Sequence, residues 1–180
     1  MTAKVNNRQI VHRARVFHLV RENVTLANGV TTDLEFVEHP GAAAIIPLLH
    51  ESKILLLKQY RHALKDYIWE IPAGTLDPEE SVINCARREL IEETGYSADQ
   101  WQKLGEITPV PGYSDERIHI FLASGLQPAR QHLDKDEIIN VHEIEFNEAL
   151  EMIKRGEIQD AKSIAGLFLA FDRLKGNNPG

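Results

Sequence analysis

The sequence predicts a layered α/β (α+β) domain built on a mixed β-sheet, with a β-rich N-terminal arm in front of it. Three observations carry this. Residues 11–37 alternate apolar and polar side chains about Asn28-Gly29, a dipeptide suited to the positive φ angles of a tight hairpin turn. Two nearly continuous apolar runs follow, AAAIIPLL from residue 42 and KILLLKQ from residue 53, as expected of strands covered on both faces. Between Asp77 and Gly95 the period then changes to that of a helix, with Val82, Cys85, Ala86 and Leu90 on one side and charged residues on the other.

The elements read in order along the chain. The arm occupies residues 1–40 and the main domain residues 41–180. The central helix has marked ends: Asp77 is suited to cap it, Pro78 to open it and Glu80 to complete a capping box, while Gly95 is suited to the left-handed conformation that stops it. Strands are expected at 103–108, at 117–123 (RIHIFLA, alternating) and at 138–145. Two amphipathic helices close the chain. One spans about 147–155, and the other follows Asp160 as its cap and carries Ile164, Leu167, Phe168 and Phe171. Strands and helices interleave over one core, so a layered architecture follows.

Composition bounds the function. A chain of 180 residues with 43% hydrophobic and 26% charged residues has material for one compact globular domain. Its formal net charge of -7 argues against a nucleic-acid backbone binder, which needs an excess of Lys and Arg on one face. The start MTAKVNNRQI has no apolar stretch and no run is long enough to span a bilayer, so neither signal peptide nor membrane partner is expected and the cytoplasm is the expected location. Cys85 is alone on an apolar helical stripe and reads as a buried structural thiol.

The chemistry lies on the central helix. Glu89, Glu92 and Glu93 stand at i, i+3 and i+4 in its last turn, where like charges repel and the helix dipole disfavours anions. Each opposes the local field by a few tenths to about 1 kcal/mol. A solvated acidic face relieved by Arg87 and Arg88 is one reading. A site for a hard cation held by oxygen ligands, Mg²⁺ or with Mn²⁺ standing in for it, is the other.

The spacing favours the second. Gly74, five residues, Glu80, seven residues and then Arg88-Glu89-Leu90-Ile91-Glu92-Glu93-Thr94-Gly95-Tyr96 resembles the Nudix box, G-x5-E-x7-R-E-U-x-E-E-x-G-U, at every fixed letter. Only the last position departs, carrying Tyr96 in place of an aliphatic residue. The resemblance implies a Nudix-type α/β/α sandwich and a magnesium-dependent hydrolase of a diphosphate bond. It implies metal ligation by Glu89, Glu92 and Glu93 with the backbone carbonyl of Ala73, Arg88 orienting a box carboxylate, and Gly74 letting the backbone approach the metal.

Beyond the box, the chain resembles the ADP-ribose pyrophosphatase subfamily from about residue 16 to 170. Pro111, sixteen residues after Gly95, lies in TPVPGYSDERIH, which is similar to that subfamily's substrate loop and nominates Pro111, Gly112 and Glu116. VEHPGAAAI and KQYRHALKDYIWEIPAGTLD extend the likeness, and Arg61 in the latter has the bidentate geometry suited to diphosphate oxygens. The likeness implies an acidic residue that prepares the attacking water, for which LDKDEIINVHEI offers Glu137 first, then Asp136 and Asp134. It also implies an aromatic from the arm stacking on adenine, for which Phe17 is the nearest match, ordinary packing being the other role open to it. The expected partner is a small nucleoside diphosphate sugar, ADP-ribose foremost, cleaved to AMP and ribose 5-phosphate, in a homodimer joined through the arm. GDP-mannose is the alternative substrate. A nonenzymatic ADP-ribose-sensing domain is a further alternative, though one that would be expected to have lost its metal carboxylates.

Overall fold

The computed structural model describes residues 2–50 and 52–176. The arm is a three-stranded antiparallel sheet, β1 (Lys4–Arg13), β2 (His18–Thr25) and β3 (Thr31–Glu38), in that order. The expected turn at Asn28-Gly29 is a longer loop. Gly29 takes a φ of 85° and Asn28 is not among the positive-φ residues, because the Leu26 N–H bonds to the Val30 carbonyl at 2.8 Å and leaves three residues between them. Strand β1 was not expected before residue 11. It is exposed at almost every position, so its sequence carries no alternation to read.

The main domain continues with β4 (Ala42–Pro47), β5 (Lys53–Arg61), β6 (Asp66–Glu70), β7 (Ala73–Thr75), α1 (Val82–Thr94), β8 (Tyr96–Ile107), β9 (Ile118–Pro128), β10 (Ile139–Glu145), α2 (Phe146–Lys154) and α3 (Ala161–Gly176). A four-stranded mixed sheet runs β7-β4-β9-β8, with β4 and β9 parallel and the outer pairs antiparallel. A second, antiparallel sheet runs β10-β5-β6.

Period two along β4 and β9 divides the core into two layers. Ala43, Ile45, Phe121 and Ala123 pack on one side with Cys85, Ala86 and Leu90 of α1. Ala42, Ala44, Ile46, Ile118, Ile120 and Leu122 pack on the other with Leu167 and Ala170 of α3 and with Phe146, Ala149 and Leu150 of α2. Both faces are covered, which is why AAAII reads as continuous apolar sequence. The result is an α/β/α sandwich. Gly166 lets α3 lie close on the sheet, since a Cβ there would stand 3.0 Å from Ile71 Cδ1 and 3.2 Å from Ile46 Cδ1.

The start of α1 differs from expectation. Ser81, not Asp77, is the cap, and its side chain accepts from the Asn84 N–H at 3.4 Å. Residues 77–80 form a separate turn, in which Glu80 N–H donates to the Asp77 carbonyl at 3.0 Å and Asp77 N–H donates to Glu80 Oε2 at 3.1 Å. Glu79 sits at a φ of 64°, which no helix continues through. At the other end Gly95 adopts φ 73° and ψ 27° and donates to the Ile91 carbonyl, as its position foretold. Asp160 also caps as expected: Oδ2 accepts from the Ser163 N–H at 2.9 Å. No helix among the described residues is long and apolar enough to cross a membrane.

Candidate active site

Helix α1 turns its last two turns toward β7, and there two carboxylates are buried. Glu89 is 8% exposed and Glu93 2%, values few acidic side chains reach without partners. Gly74 makes room for the first. A Cβ on Gly74 would stand 1.8 Å from Glu89 Oε1, so the carboxylate fills the space a side chain would take. Glu93 is held by a backbone donor: Oε2 accepts from the Ala73 N–H at 2.8 Å.

Arg88 ties the acidic groups together. It donates through Nε and Nη2 to Glu80 at 3.0 and 2.9 Å, and through Nη1 to Glu89 at 2.6 Å and Glu92 at 2.9 Å. Nη2 also reaches the Thr75 carbonyl at 3.1 Å. Hydrogen bonding to Arg88 holds the Glu80 carboxyl below its ordinary range. Burial pushes Glu89 up to about 7, against the opposing pull of Arg88. Burial, with the charge of Glu89 added, lifts Glu93 well above the usual carboxylate range, against the Ala73 N–H bond. Two carboxylates are thus kept where their charge is poorly compensated.

These side chains open on a cavity of about 780 Å³ that Gln59, Arg61, Arg88, Glu89, Glu93 and Glu137 help to line. Glu137 is brought there from a distant loop. Ala129 N–H donates to the Gly95 carbonyl at 2.7 Å, Gln131 Nε2 to the Glu93 carbonyl at 2.6 Å and His132 N–H to the Glu92 carbonyl at 3.1 Å. The carbonyls left open at the end of α1 are what anchor the loop. Glu137 in turn accepts from the Asp134 N–H at 2.9 Å, and both line a smaller cavity of about 300 Å³ beside Glu92. Asp136 is turned away, paired with Arg15 at 3.0 Å in the open.

The substrate-side residues are divided. Arg61 lines the main cavity and is gripped by Glu70, which accepts from its Nε at 2.9 Å and from its Nη2. Burial disfavours its charge, and the hydrogen bonds and charge of Glu70, with the charges of Glu93 and Asp160, together more than offset that. Phe17 lines an adjoining cavity of about 440 Å³ that shares Val16 and Pro40 with the main one. Glu116 lines a third, of about 360 Å³, sharing Arg61, Ala73, Gly74 and Thr75. Pro111 and Gly112 are exposed and line none of the four. Their loop is fastened instead to the arm: Val37 N–H donates to the Tyr113 carbonyl at 2.8 Å and Asp115 N–H to the Val37 carbonyl at 3.1 Å.

Sequence reasoning missed Gln59, Glu70 and Lys162. Gln59 is 5% exposed and its Oε1 has no hydrogen-bond partner among the described residues; its one signal was an amide ending an apolar strand. Glu70 and Lys162 pair at 3.2 Å across elements far apart in sequence, which a linear reading does not connect. Cys85 is buried as expected, and burial pushes its thiol up to about 12, which leaves it inert.

The donor set suits a hard divalent cation. Among the described residues no three acidic, His or Cys side chains form a ready cage. Mg²⁺ needs none, because it takes one or two carboxylates and completes its shell with water and phosphate oxygens. Gly74→Ala is expected to expel the Glu89 carboxylate and weaken Mn²⁺ binding about 10- to 100-fold in isothermal calorimetry. Unchanged affinity in a folded variant would contradict the cradle.

The NUDIX domain model matches residues 38–167, well over half of the chain. A protein of Bacillus methanolicus named methanol dehydrogenase activator is 41% identical over 156 residues, 86% of this chain and 84% of its own. The ADP-ribose pyrophosphatase of Bacillus subtilis (strain 168) is 39% identical over 155 residues, 85% of this chain and 84% of its own. The crystal structure of an ADP compounds hydrolase superposes with a TM-score of 0.87 at 25% identity, covering 100% of this chain and 98% of that one. Fold, carboxylate site and relatives agree: the chain belongs to the NUDIX domain family and is one of its hydrolases.

Proposed function

We propose that this hydrolase cleaves the diphosphate bond of ADP-ribose to AMP and ribose 5-phosphate, with Mg²⁺ as its cation. The observation that carries this is the intact pair of buried carboxylates, Glu89 and Glu93, facing a cavity that also contains Arg61 and Glu137. A relative 39% identical and named ADP-ribose pyrophosphatase supports the choice of substrate. A purely sensing domain has no use for two buried acids whose charge costs stability.

Glu89, Glu92 and Glu93 would hold the cation, with the Ala73 carbonyl beside them, and Arg88 keeps Glu89 and Glu92 aimed. Bound there, Mg²⁺ supplies neutralisation of the diphosphate charge and a lowered pKa for the attacking water. Arg61, with one edge of its guanidinium committed to Glu70, directs the remainder to phosphate oxygens. Glu137 accepts the proton of the water as its oxygen forms the new P–O bond and the bridging P–O bond breaks. Its placement next to Glu89 and Glu93, and the outward turn of Asp136, favour it as the base. Phe17 offers a ring for adenine, and Glu116 an acceptor for sugar hydroxyls, in the two adjoining cavities. Pro111 and Gly112 are assigned to the substrate loop.

Purified protein with Mg²⁺ is expected to release AMP from ADP-ribose faster than it releases GMP from GDP-mannose. Glu93→Gln and Glu137→Gln should each lower kcat at least about 100-fold with the fold retained. Absence of AMP from the wild type would sink the reading, and full activity in Glu93→Gln would sink the metal assignment.

The pH dependence has a definite sign. The carboxyl of Glu89 lies at about 7, above its ordinary value of 4.5, so its contribution to metal-free stability is present below 4.5 and lost as pH rises through 7. Cation binding needs the charged form and relieves that loss. Mg²⁺ affinity should therefore be about tenfold weaker at pH 6 than at pH 8, and the Mg²⁺-induced rise in Tm larger at pH 8. Equal shifts at both would contradict it.

We also assign residues 1–40 as an arm that joins two copies, since Val5, Val11 and Leu34 stand exposed on it. Light scattering should return twice the mass of one chain, and a monomer would refute the assignment.

A further inference from the structure

We propose that Lys162 and Glu70 are positioning residues that aim Arg61 at the substrate phosphates, so that the first turn of α3 sets phosphate affinity from outside the metal site. The inference rests on Arg61 contacting phosphate in the proposed reaction.

The connections form one chain. Glu70 is 3% exposed and accepts from Arg61 through both carboxylate oxygens. Its Oε2 is shared with Lys162 Nζ at 3.2 Å. Lys162 is fixed in turn by Asp160 Oδ2 at 3.0 Å, which also accepts from the Ser163 N–H at 2.9 Å and the Ser163 hydroxyl at 2.5 Å. Ser163, wholly buried, accepts from the Ile71 N–H at 2.9 Å. Helix α3 therefore grips the end of β6 twice, by the backbone at Ile71 and by the carboxylate of Glu70.

Why two cations are needed follows from burial. A carboxylate this deep is costly unless paired, and a single Arg would have to serve both as its counter-ion and as the phosphate ligand. With Lys162 supplying the second positive charge beside Glu70, Arg61 keeps donors free for the cavity. Glu70 thereby sets the plane of the guanidinium, because a bidentate carboxylate–guanidinium pair is held coplanar. Lys162, 12% exposed at its side chain and bound to two carboxylates, does not line the main cavity; it lines the adjoining one beside Arg61 and Glu116.

The test is a double-mutant cycle on the full-length protein. KM is read because it does not depend on the fraction of enzyme that is folded. Lys162→Met is expected to raise KM for ADP-ribose about tenfold with kcat within about twofold, and to have no effect on KM when Arg61 is already Ala. Lys162→Arg should restore the wild-type KM. Glu70→Gln, which keeps the shape of the side chain, should behave as Lys162→Met does and serves if that variant fails to fold. An equal rise in KM with and without Arg61 would overturn the inference. So would a loss that excess Mg²⁺ repairs, because the charge of Lys162 also favours the ionised form of Glu93 and the effect would then lie at the metal site. The same cycle read by calorimetry with ADP and Mg²⁺ separates the two readings. If the wild type binds ADP but hydrolyses no ADP-ribose, the substrate assignment fails while the cycle still decides the relay. If it binds no ADP, the relay fails as well.

Discussion

The structure depends on burying two carboxylates at the wrong end of a helix. Glu89 and Glu93 lie in the last turns of α1, where unsatisfied carbonyls already make the field negative. The neighbouring features follow from that constraint. Gly74 lacks a side chain because Glu89 occupies its place, the Ala73 N–H faces Glu93, and Arg88 is spread over Glu80, Glu89 and Glu92. The carbonyls at the helix end recruit the loop from Ala129 to His132, which carries Glu137 to the same place. A solvent-facing helix would need none of this.

The layers explain how so short a chain holds such a site steady. β4 and β9 are buried on both faces, and β7 joins the sheet beside β4 through Ala42–Ala44 opposite Ala73–Thr75. The cradle is therefore hydrogen-bonded to the most deeply buried strand of the domain. α1 presses the carboxylates onto β7 from one layer, while α3, in the other, holds the end of β6 and with it Arg61. Metal side and phosphate side of the cleft are thus positioned by different helices across one sheet, so a change in the packing of either layer alters their separation.

What could be read in the sequence follows from where the information lies. The Nudix box is local, its spacing set by one turn and one helix, and so it was legible from Gly74 to Gly95. The doubly buried strands and Gly95 announced themselves for the same reason. Asp77 misled because Pro78 and Glu80 make a sound capping box on paper, whereas Glu79 at positive φ ends that turn and leaves Ser81 to start the helix. β6 and β7 are too short for a period to emerge, and β1 is exposed on nearly all its residues. Glu70 and Lys162 were invisible because their meaning is a contact, made between residues far apart along the chain. Pro111 and Gly112 read as site residues by offset and by the likeness of their loop; they stand exposed, in a loop that Tyr113 and Asp115 tie to the arm.

The balance of charge links metal to substrate. The chain has a net charge of -7, and its substrate class is anionic. Of the cations at the cleft, Arg88 is consumed by carboxylates, Arg61 is half committed to Glu70, and Arg15 is spent on Asp136 at the rim. Against them stand Glu89, Glu93 and Glu137. A diphosphate entering such a cavity without a divalent cation would find little positive charge beyond the free donors of Arg61, and its own charge would further oppose ionisation of Glu89 and Glu93. The acids that look misplaced on their own are what make cation and substrate bind as a unit, since each supplies the charge that the other lacks.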